Sequence, residues 1–320
     1  MAKIILSGLY MSIEELPYNP ISRFYKERFQ SKVHKISVAV ADTCPNREGL
    51  KGMQTCNFCD QWGSAAYAQN LEKPLREQID MVRQILITKR AIKKFMIYFQ
   101  AYTTTFSKVS KLAVQIETAL SYDDVVGITV GTRPDCLSKA FFELCESTAQ
   151  KTFMAVEVGV QSFDNEVLKW MRRGHTAEQS LKAIELLAKN CPSVNLGVHL
   201  IFGSPGETDE DAIASAHRLN HLPIHNVKLH HMHVLKNTPL ADEYAAGQFE
   251  PLTKEAYFRR CTVFLQHLRP EIAVHRLSAF APRWDELIAP QWTTFKMQTY
   301  QDMLTYMRDQ GATQGQLYEA

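Results

Sequence analysis

Three of the chain's seven cysteines lie within one polar stretch of sixteen residues. Eleven residues separate Cys44 from Cys56, and two separate Cys56 from Cys59. A C-x-x-C pair on a tight turn brings two thiolates to one metal centre, and the long loop before it can fold back to deliver a third. Three thiolates occupy three irons of a cubane cluster and leave the fourth iron open. The spacing therefore predicts a 4Fe–4S site on Cys44, Cys56 and Cys59.

Structural zinc is the main alternative for these cysteines, and it requires four closed ligands. No fourth Cys or His lies between residues 35 and 70. The nearest candidate is His34, which would have to reach around from the start of a strand. An inert loop is the third interpretation, although cysteines rarely cluster on a polar loop without a chemical role. The spacing favours the cluster and leaves both alternatives open.

The four remaining cysteines carry weaker signals. Cys261 lies on an apolar helical stripe, and Cys145 lies among apolar neighbours, so both are predicted core residues. Cys191 closes a helical pattern just before a proline. Cys136 follows a polar turn, and a chemical role for it stays open.

Composition sets limits on the class of protein. The chain has 320 residues, of which 45% are hydrophobic and 22% charged, a balance typical of soluble globular proteins. Its 36 basic and 34 acidic residues leave 36 − 34 = +2, so no strong field calls for nucleic acid or a membrane, although a local basic patch leaves RNA possible. Residues 1–17 make a poor signal peptide, and no apolar run reaches membrane-spanning length. We therefore expect a cytoplasmic protein with no membrane partner.

Apolar runs alternate with amphipathic helical patterns along most of the chain. The predicted strands are nearly continuous in Val, Ile and Phe, which is typical of strands buried on both faces. They are Ile36–Ala41, Phe95–Phe99, Val125–Val130, Phe153–Val160, Val194–Phe202 and Val227–Val234. Six such units predict an α/β fold with a parallel sheet. Periodicity does not decide between a partial barrel and an open doubly wound sheet.

Capping residues and flanking segments complete the predicted organisation. Ser107, Ser138 and the pair Thr208 with Asp211 are predicted to begin helices. We expect an N-terminal extension over residues 1–34, the α/β unit over residues 35–236 and a C-terminal extension over residues 237–320 that closes the barrel and lines the substrate site. Two further helices are predicted in that extension, Lys254–Leu268 and Phe295–Arg308.

Polar residues in the last strand and the tail are candidate substrate ligands. They are Lys228, His231, His233, His275, Arg276, Arg283 and Trp284. A period of two places His231 and His233 on one face of the strand and directs His230 away, and two histidines make an incomplete metal site. The two arginines could hold a phosphate or carboxylate, and the Trp ring could stack on a base. An ordinary amphipathic closure of the barrel is the alternative for the tail residues.

Nine motifs, in this order, give the chain a resemblance to a known family. They are KVHKISVAVADTCPNREG, TCNFCD, YFQAYTTTF, VGTRPDCL, VEVGVQS, RRGHT, HLIFGSPGET, VKLHHMHVLKNTPL and HRLSAFAPRWDELIAPQW. Over roughly residues 24–295 the chain resembles the radical S-adenosylmethionine (SAM) superfamily. It is most similar to the YhcC-like branch, which is related to the elongator catalytic subunit and to oxygen-independent coproporphyrinogen dehydrogenase. The lengthened loop between the first two cysteines is a mark of that branch.

The resemblance implies the fold, the cofactors and several site residues. It implies a partial (β/α)₆ barrel of the radical SAM type, with a 4Fe–4S cluster and SAM as cofactors. The residues that it assigns to SAM are Phe58, Thr103, Glu157, Gln161, Arg173, His199 and Gly203. Thr103 follows Ala101 and Tyr102 where the family commonly has a glycine pair, so close approach of SAM is less assured there.

The resemblance also implies a reaction. A one-electron donor such as flavodoxin or ferredoxin reduces the cluster, SAM is cleaved reductively, and a 5′-deoxyadenosyl radical is generated. We expect this radical to act on a small anionic or nucleoside-like substrate, or on a modified RNA base. The alternative is a zinc-stabilised nucleic-acid-binding protein without catalysis, whose binding would depend strongly on salt.

Overall fold

The computed structural model describes residues 13–41, 43–63, 72–281 and 285–319. Within them, seven parallel strands form one half-barrel sheet in the order β1-β2-β3-β4-β5-β6-β8. These strands are β1 (Val33–Val38), β2 (Lys94–Phe99), β3 (Val125–Thr132), β4 (Phe153–Gln161), β5 (Asn195–Phe202), β6 (Asn226–His231) and β8 (Ala273–Val274). A small antiparallel pair is formed by β7 (Val234–Leu235) and β9 (Leu287–Ala289).

Helices connect and flank the parallel strands, as parallel pairing requires. In chain order they are α1 (Ile21–Phe29), α2 (Leu75–Arg90), α3 (Val109–Leu120), α4 (Lys139–Ala149), α5 (Asn165–Trp170), α6 (Ala177–Asn190), α7 (Asp209–Asn220), α8 (Pro239–Ala245), α9 (Lys254–His267) and α10 (Lys296–Asp309). Short 3₁₀ helices span Ile13–Glu15, Leu50–Gly52 and Gln291–Thr294. None of the described helices combines the length and hydropathy needed to cross a membrane.

The α/β class and the partial barrel are confirmed, and the differences are local. The first strand begins at Val33 rather than Ile36 and ends at Val38, so the loop after it is longer than predicted. The seventh strand, β8, pairs with β6 and comes from the segment predicted as an extension. A strand of only two residues, such as β8, is too short to be recognised from sequence periodicity.

Alternation along the strands divides the sheet into two faces. The outer face packs beneath the helices and is apolar, as Ile97 of β2, Val156 of β4 and Val198 of β5 illustrate. The inner face carries the intervening residues, among which glycines and polar side chains are frequent. The apolar outer face stabilises the sheet, and the inner face is free to carry chemistry.

Helix α1 closes the amino-terminal end of the barrel with aromatic rings. Phe24 and Phe29 pack on Phe153, the first residue of β4, with ring centroids 5.7 and 5.6 Å apart. Tyr25 joins the same cluster and is buried. We expected the C-terminal extension to close the barrel, but this end is closed by the segment before β1. Ligand access is therefore left to the carboxyl ends of the strands.

Two of the three predicted helix caps are confirmed. The Ser138 hydroxyl accepts a hydrogen bond from Phe141 N, and Thr208 with Asp211 forms a reciprocal capping box. Ser107 does not cap α3, because that helix begins at Val109 after Lys108, whose side chain makes no capping bond.

Candidate functional site

The three clustered cysteines lie in the long loop that follows β1. Cys59 N donates to Cys56 O at 3.1 Å, which closes the tight turn predicted for the C-x-x-C pair. Cys44 begins another turn, because its carbonyl accepts from Glu48 N at 3.1 Å. Cys56 is buried, whereas Cys44 and Cys59 are half-buried.

Backbone hydrogen bonds fix this loop against the rest of the barrel. Asn57 N donates to Met171 O at 3.2 Å, and Leu240 N donates to Asn57 O at 2.9 Å. The Asn46 side chain donates to Gln54 O at 2.6 Å inside the loop. The cysteine turn is therefore held between the end of α5 and the start of α8.

Two guanidinium groups face the sulfur atoms of the turn. Arg173 Nη1 lies 3.5 Å from Cys56 Sγ, and Arg47 Nη2 lies 3.6 Å from Cys59 Sγ. Burial and the neighbouring Cys56 raise the pKa of the Cys59 thiol to about 12, and Arg47 opposes that shift. Cys is a metal ligand in its thiolate form, and cationic donors beside the sulfurs stabilise that form. The turn therefore fits a thiolate-bound metal centre.

The donor set fits a cluster better than mononuclear zinc. Among the described residues, no three His, Cys, Asp or Glu side chains are placed to hold one metal ion. Cubane ligands bind separate irons, so they need not converge on one point. His34 lies near the amino end of β1, whereas the cysteines follow its carboxyl end, so it is not positioned as a fourth zinc ligand.

Several residues assigned to SAM lie at the same edge of the sheet, where β2, β4 and β5 end. Phe58 packs on an apolar cluster that includes Met171, and Thr103 is buried after β2. Gln161 ends β4, and Gly203 follows β5 with a φ of +100°. The structure thus brings these four residues to the mouth of the barrel, and their contacts to SAM stay predictions.

Gln161 has an unusual backbone conformation that depends on a neighbouring glycine. Its φ is +71°, which is uncommon for a residue with a side chain and often marks a functional site. A Cβ on Gly159 would lie 2.8 Å from Gln161 Nε2 and 3.5 Å from Arg173 Nη2. Glycine at position 159 therefore makes room for both side chains that are predicted to contact SAM.

Buried polar atoms without protein partners surround this mouth. They include both side-chain polar atoms of Asn57, Thr104 Oγ1, Arg173 Nε and Ser204 Oγ. Buried polar groups are nearly always hydrogen-bonded, by protein, water or ligand. These atoms fit a polar cofactor such as SAM, which would provide the missing partners.

The carboxylate of Glu157 lies deeper, near the middle of β4. Its Oε1 accepts from Lys35 Nζ at 2.5 Å, and its Oε2 accepts from Lys228 Nζ and from His199 Nε2, the latter at 2.6 Å. Burial alone would raise the pKa of Glu157, but Lys228 and Lys35 hold it well below the usual value. Burial lowers the pKa of His199 to about 4. Glu157 is therefore ionised and His199 is neutral.

Two more side chains complete this network. Tyr98 Oη accepts from Lys228 Nζ at 3.2 Å, and His275 Nε2 lies 2.8 Å from Asn226 Oδ1 and 3.5 Å from Glu157 Oε1. We call the set the interior polar layer: Lys35, Tyr98, Glu157, His199, Lys228 and His275. It lies between the aromatic rings of α1 and the mouth of the barrel.

Glu157 and His199 are also predicted SAM residues. Their polar atoms contact each other and the lysines of the interior polar layer. Glu157 lies four residues before Gln161 on the same strand, deeper in the barrel than the mouth. Contacts of Glu157 and His199 to SAM stay predictions, as they do for Gln161.

The histidines of β6 lie on opposite faces, and the predicted choice of face was wrong. His230 shares the inner face with Lys228, and Arg276 Nη2 lies 2.8 Å from His230 Nδ1. His231 packs on the outer side against Tyr257 and Trp292, with ring centroids 4.9 and 4.6 Å apart.

His233 stays with His231, since their ring centroids are 4.3 Å apart. Neither is positioned with Lys228 as a substrate ligand. Arg283 and Trp284, also predicted for the substrate, lie outside the described residues. Of the predicted substrate residues, Lys228, His275 and Arg276 are the ones that line the inside of the barrel.

Lys35, Tyr98 and His230 were missed from the sequence. Each contacts a member of the predicted site. The signal was strand alternation. His230 is two residues from Lys228, and Tyr98 is a polar residue in an apolar stretch of β2. Lys35 gave a weaker signal, because β1 also contains His34 and Ser37.

Comparison with known families agrees with this fold and site. The Radical SAM superfamily description matches residues 39–219, and the Radical_SAM C-terminal domain matches residues 224–309. The chain therefore belongs to the radical SAM superfamily. It is a radical SAM enzyme, and its cofactors are a 4Fe–4S cluster and SAM.

Individual relatives place it within the superfamily. The chain is 32% identical to protein YhcC of Escherichia coli (strain K12) over 285 residues, covering 89% of this chain and 90% of YhcC. It is 28% identical to YtqA of Bacillus subtilis (strain 168) over 305 residues, covering 95% and 94%. These matches support the YhcC-like branch.

A solved structure shares the fold. Elp3 of the archaeon Methanocaldococcus infernus superposes with a TM-score of 0.64 at 18% identity. The alignment covers 89% of this chain and 64% of the Elp3 chain, so this chain spans less than two thirds of that relative.

Proposed function

We propose that this enzyme cleaves SAM reductively at a cluster bound by Cys44, Cys56 and Cys59, and that it acts on an anionic substrate held inside the barrel by Arg276. When bound, the cluster and SAM supply a 5′-deoxyadenosyl radical. The protein positions both cofactors, orients the substrate and excludes water. The observation that carries the substrate class is the guanidinium of Arg276, whose buried Nε has no hydrogen-bond partner among the described residues.

Arg276 has a half-buried side chain and no carboxylate partner among the described residues. Its Nη2 contacts His230, and burial with the charge on Arg276 holds the pKa of His230 well below its usual value, so that ring is neutral. Across the described residues, Arg276 forms no ion pair, and its Nε has no hydrogen-bond partner. A buried charge is costly unless it is paired. An anionic substrate would supply the missing charge.

The charge balance of the cavity supports the same conclusion. Lys35, Lys228 and Arg276 are basic, and Glu157 is the carboxylate that faces them. A carboxylate or phosphate can accept two parallel hydrogen bonds from one guanidinium. The substrate classes that fit are small carboxylates or phosphates, nucleoside-like phosphates and a modified RNA base carried on its phosphate backbone.

The cofactor roles follow from the positions at the mouth. Gln161, Thr103 and the turn at Gly203 would bind SAM, with Phe58 packed beside its adenine. Arg173, which contacts Cys56 Sγ and Gly159 O, would contact both the cluster environment and SAM. A reductant such as flavodoxin or ferredoxin would deliver the electron, and a reducing cytoplasm suits an oxygen-sensitive cluster.

Anaerobic reconstitution tests the cofactor part. Cluster-loaded protein should contain about four irons per chain with acid-labile sulfide. With dithionite and no substrate, it should slowly convert SAM to 5′-deoxyadenosine and methionine. Stoichiometric zinc without sulfide, or cluster-loaded protein that leaves SAM intact, would contradict the proposal.

Anion stimulation tests the substrate part. Pyruvate and adenosine monophosphate serve as carboxylate and phosphate probes, and 5′-deoxyadenosine formation is the readout. We expect at least one probe to change that rate in the wild type and in Arg259→Met, an outer-surface control paired with Asp209. The effect should disappear in Arg276→Met. An identical response in both variants would show that the anion binds elsewhere.

A further inference from the structure

The interior polar layer holds more amines than its carboxylate requires. Lys35 and Lys228 bind opposite oxygens of Glu157, and both ammonium groups lie over the ring of Tyr98, 5.1 and 4.5 Å from its centroid. One lysine is enough to neutralise one carboxylate. The second amine is therefore not needed to neutralise Glu157 and is available for another role.

Lys228 is the amine whose surroundings favour the neutral form. It lies on the inner face of β6, two residues before His230, which contacts Arg276. Burial lowers the pKa of Lys228 to about 7, and the charges of Lys35 and Arg276 add to this shift while Glu157 opposes it. By contrast, burial lowers the pKa of Lys35 but Glu157 and Tyr25 together outweigh it, so the pKa of Lys35 is raised. A desolvated lysine beside other cations is the arrangement that makes an amine nucleophilic.

We propose that Lys228 binds the substrate covalently, through an imine with an aldehyde or ketone whose carboxylate or phosphate is held by Arg276. The carbon–nitrogen bond forms between Lys228 Nζ and the carbonyl carbon, and the carbonyl oxygen leaves as water. Both hydrogens of that water come from the neutral amine, so no electrons are exchanged with another group. This inference rests on the anionic substrate class proposed above and narrows it to anionic carbonyl compounds.

Neighbouring groups are placed to assist the proton transfers. The Tyr98 hydroxyl, 3.2 Å from Lys228 Nζ, can relay a proton from the amine to the departing oxygen. Glu157 is a positioning residue, since it fixes the amine through a hydrogen bond. Arg276 then sets the orientation by binding the anionic end of the substrate.

Pyridoxal 5′-phosphate is a suitable probe, because it is an anionic aldehyde. Cluster-loaded protein is incubated anaerobically with about one equivalent at about pH 8, above the pKa of about 7 for Lys228, then treated with borohydride. Peptide mass spectrometry locates the reduced adduct. We expect the label on the peptide that contains Lys228, with inorganic phosphate as a competitor.

Three variants sharpen the result. Lys228→Arg keeps a cation beside Glu157 but cannot form an imine, so the label should be lost while the melting temperature is retained. Lys35→Arg is the matched control and should keep the label. Arg276→Met should weaken probe affinity about tenfold or more, as expected for loss of a charge-assisted contact.

The pH dependence gives a second readout. The titratable and charged groups that face Lys228 are Lys35, Tyr98, Glu157, His199, His230, His275 and Arg276. Labelling should accelerate as pH rises through about 7, when Lys228 loses its proton. Exposed lysines in general lose their proton only near about pH 10, so non-specific labelling of the surface would not rise through pH 7.

The position of the label in wild-type protein tests the imine proposal even if a variant fails to fold. Adduct spread over surface lysines, or unchanged in Lys228→Arg, would overturn the proposal. Imine formation needs neither cluster nor SAM. Protein that cleaves SAM but is not labelled at Lys228 would therefore defeat this inference alone, and protein labelled at Lys228 that never cleaves SAM would defeat the proposed function.

Discussion

Polar groups are buried both in the middle of the barrel and at its mouth, but they differ in whether the protein supplies their hydrogen-bond partners. In the middle, Glu157 is hydrogen-bonded by Lys35, Lys228 and His199. At the mouth, Asn57 and Ser204 bury polar side chains that have no protein partner. Unpaired buried polar groups cost free energy, so a fold retains them where a ligand will complete them.

This difference separates two roles. The interior polar layer is preorganised, since its charges are fixed by one another before any ligand arrives. In the function proposed above, cofactors complete the mouth, and its polar atoms would gain partners on binding. Substitutions in the middle should therefore act on stability, and substitutions at the mouth should act on cofactor binding.

The largest expected effect at the mouth concerns the metal centre. Cys56→Ala should abolish cluster binding, because it removes one of three thiolate ligands. Cys261→Ala is the matched control: this thiol is buried on α9, 3.7 Å from Leu277 O and far along the chain from the cysteine loop. It should keep its iron and lose about 1 kcal/mol of stability or a little more. Iron and sulfide analysis after anaerobic reconstitution makes the comparison, and equal iron loss in both variants would mean that the ligands are assigned wrongly.

The largest effect in the middle concerns Glu157. Glu157→Gln leaves the buried Lys228 and the half-buried Lys35 without their counter-charge and should lower the free energy of unfolding by about 3–5 kcal/mol. Glu143→Gln, on an exposed i,i+4 pair with Lys139, should leave it unchanged within error. Denaturant unfolding measures both. If Glu157→Gln lowered the free energy of unfolding only slightly, the two lysines would have to become neutral in the variant without destabilising the fold.

The same variant should change the acid limb of the stability curve. The folded-state pKa of Glu157 lies well below its ordinary value of 4.5. Its stabilisation is therefore complete above pH 4.5 and is lost as pH falls from there through the folded pKa. The stability gap between wild type and Glu157→Gln should accordingly narrow below about pH 4.5. A gap that stays constant with pH would mean that Glu157 is not ionised in the fold.

Much of the scaffold could be predicted from the sequence, because buried parallel strands leave a strong apolar signal. The capping box at Thr208 was equally local and equally visible. The seventh strand was missed, since Ala273 and Val274 are held by pairing with β6 rather than by their own pattern. The aromatic rings of α1 were missed as a barrel closure because their partner, Phe153, lies more than a hundred residues away.

The residues of the site also divide into those that local sequence predicts and those that depend on long-range contacts. The cysteine turn is encoded within a few residues, so its spacing was enough to predict it. The interior polar layer depends on side chains from five strands, and its pairing is set by register: His199 lies beside Lys228, and Glu157 beside Gly197. The resemblance implies SAM contacts for Glu157 and His199, and these contacts stay predictions. The sequence of β6 alone does not show which of its faces points into the barrel. That decision requires knowing which residues of the neighbouring strands face inward.

A moderate effect is expected at Arg173, which lies between the cluster loop and the mouth. Arg173→Ala should weaken SAM binding roughly tenfold to a hundredfold while iron content is retained, because the guanidinium contacts a cysteine sulfur but is not a ligand. Arg172→Ala is the neighbouring control, with a partly exposed side chain 3.8 Å from Glu243. Calorimetry on samples with matched iron content compares the two. Unchanged affinity in Arg173→Ala would remove this residue from the SAM site.

The smallest effect tests the contrast between partnered and unpartnered groups most directly, with two hydroxyl deletions. Ser204 Oγ is buried without a partner, whereas Thr105 Oγ1 lies 2.5 Å from Thr132 Oγ1. Ser204→Ala removes no hydrogen bond from the free protein, so its unfolding free energy should be unchanged or slightly raised. Thr105→Val removes the hydrogen bond to Thr132 Oγ1, which keeps its bond to Arg133 O at 3.3 Å, and should cost about 0.5–1.5 kcal/mol. SAM affinity should fall roughly threefold to tenfold in Ser204→Ala, the loss expected for one neutral hydrogen bond. Unfolding curves and SAM calorimetry on the same preparations separate the two quantities. If Ser204→Ala destabilised the free protein and left SAM affinity intact, the hydroxyl would have a partner within the protein. The polar groups of the mouth would then be paired by the protein itself, as those of the interior polar layer are.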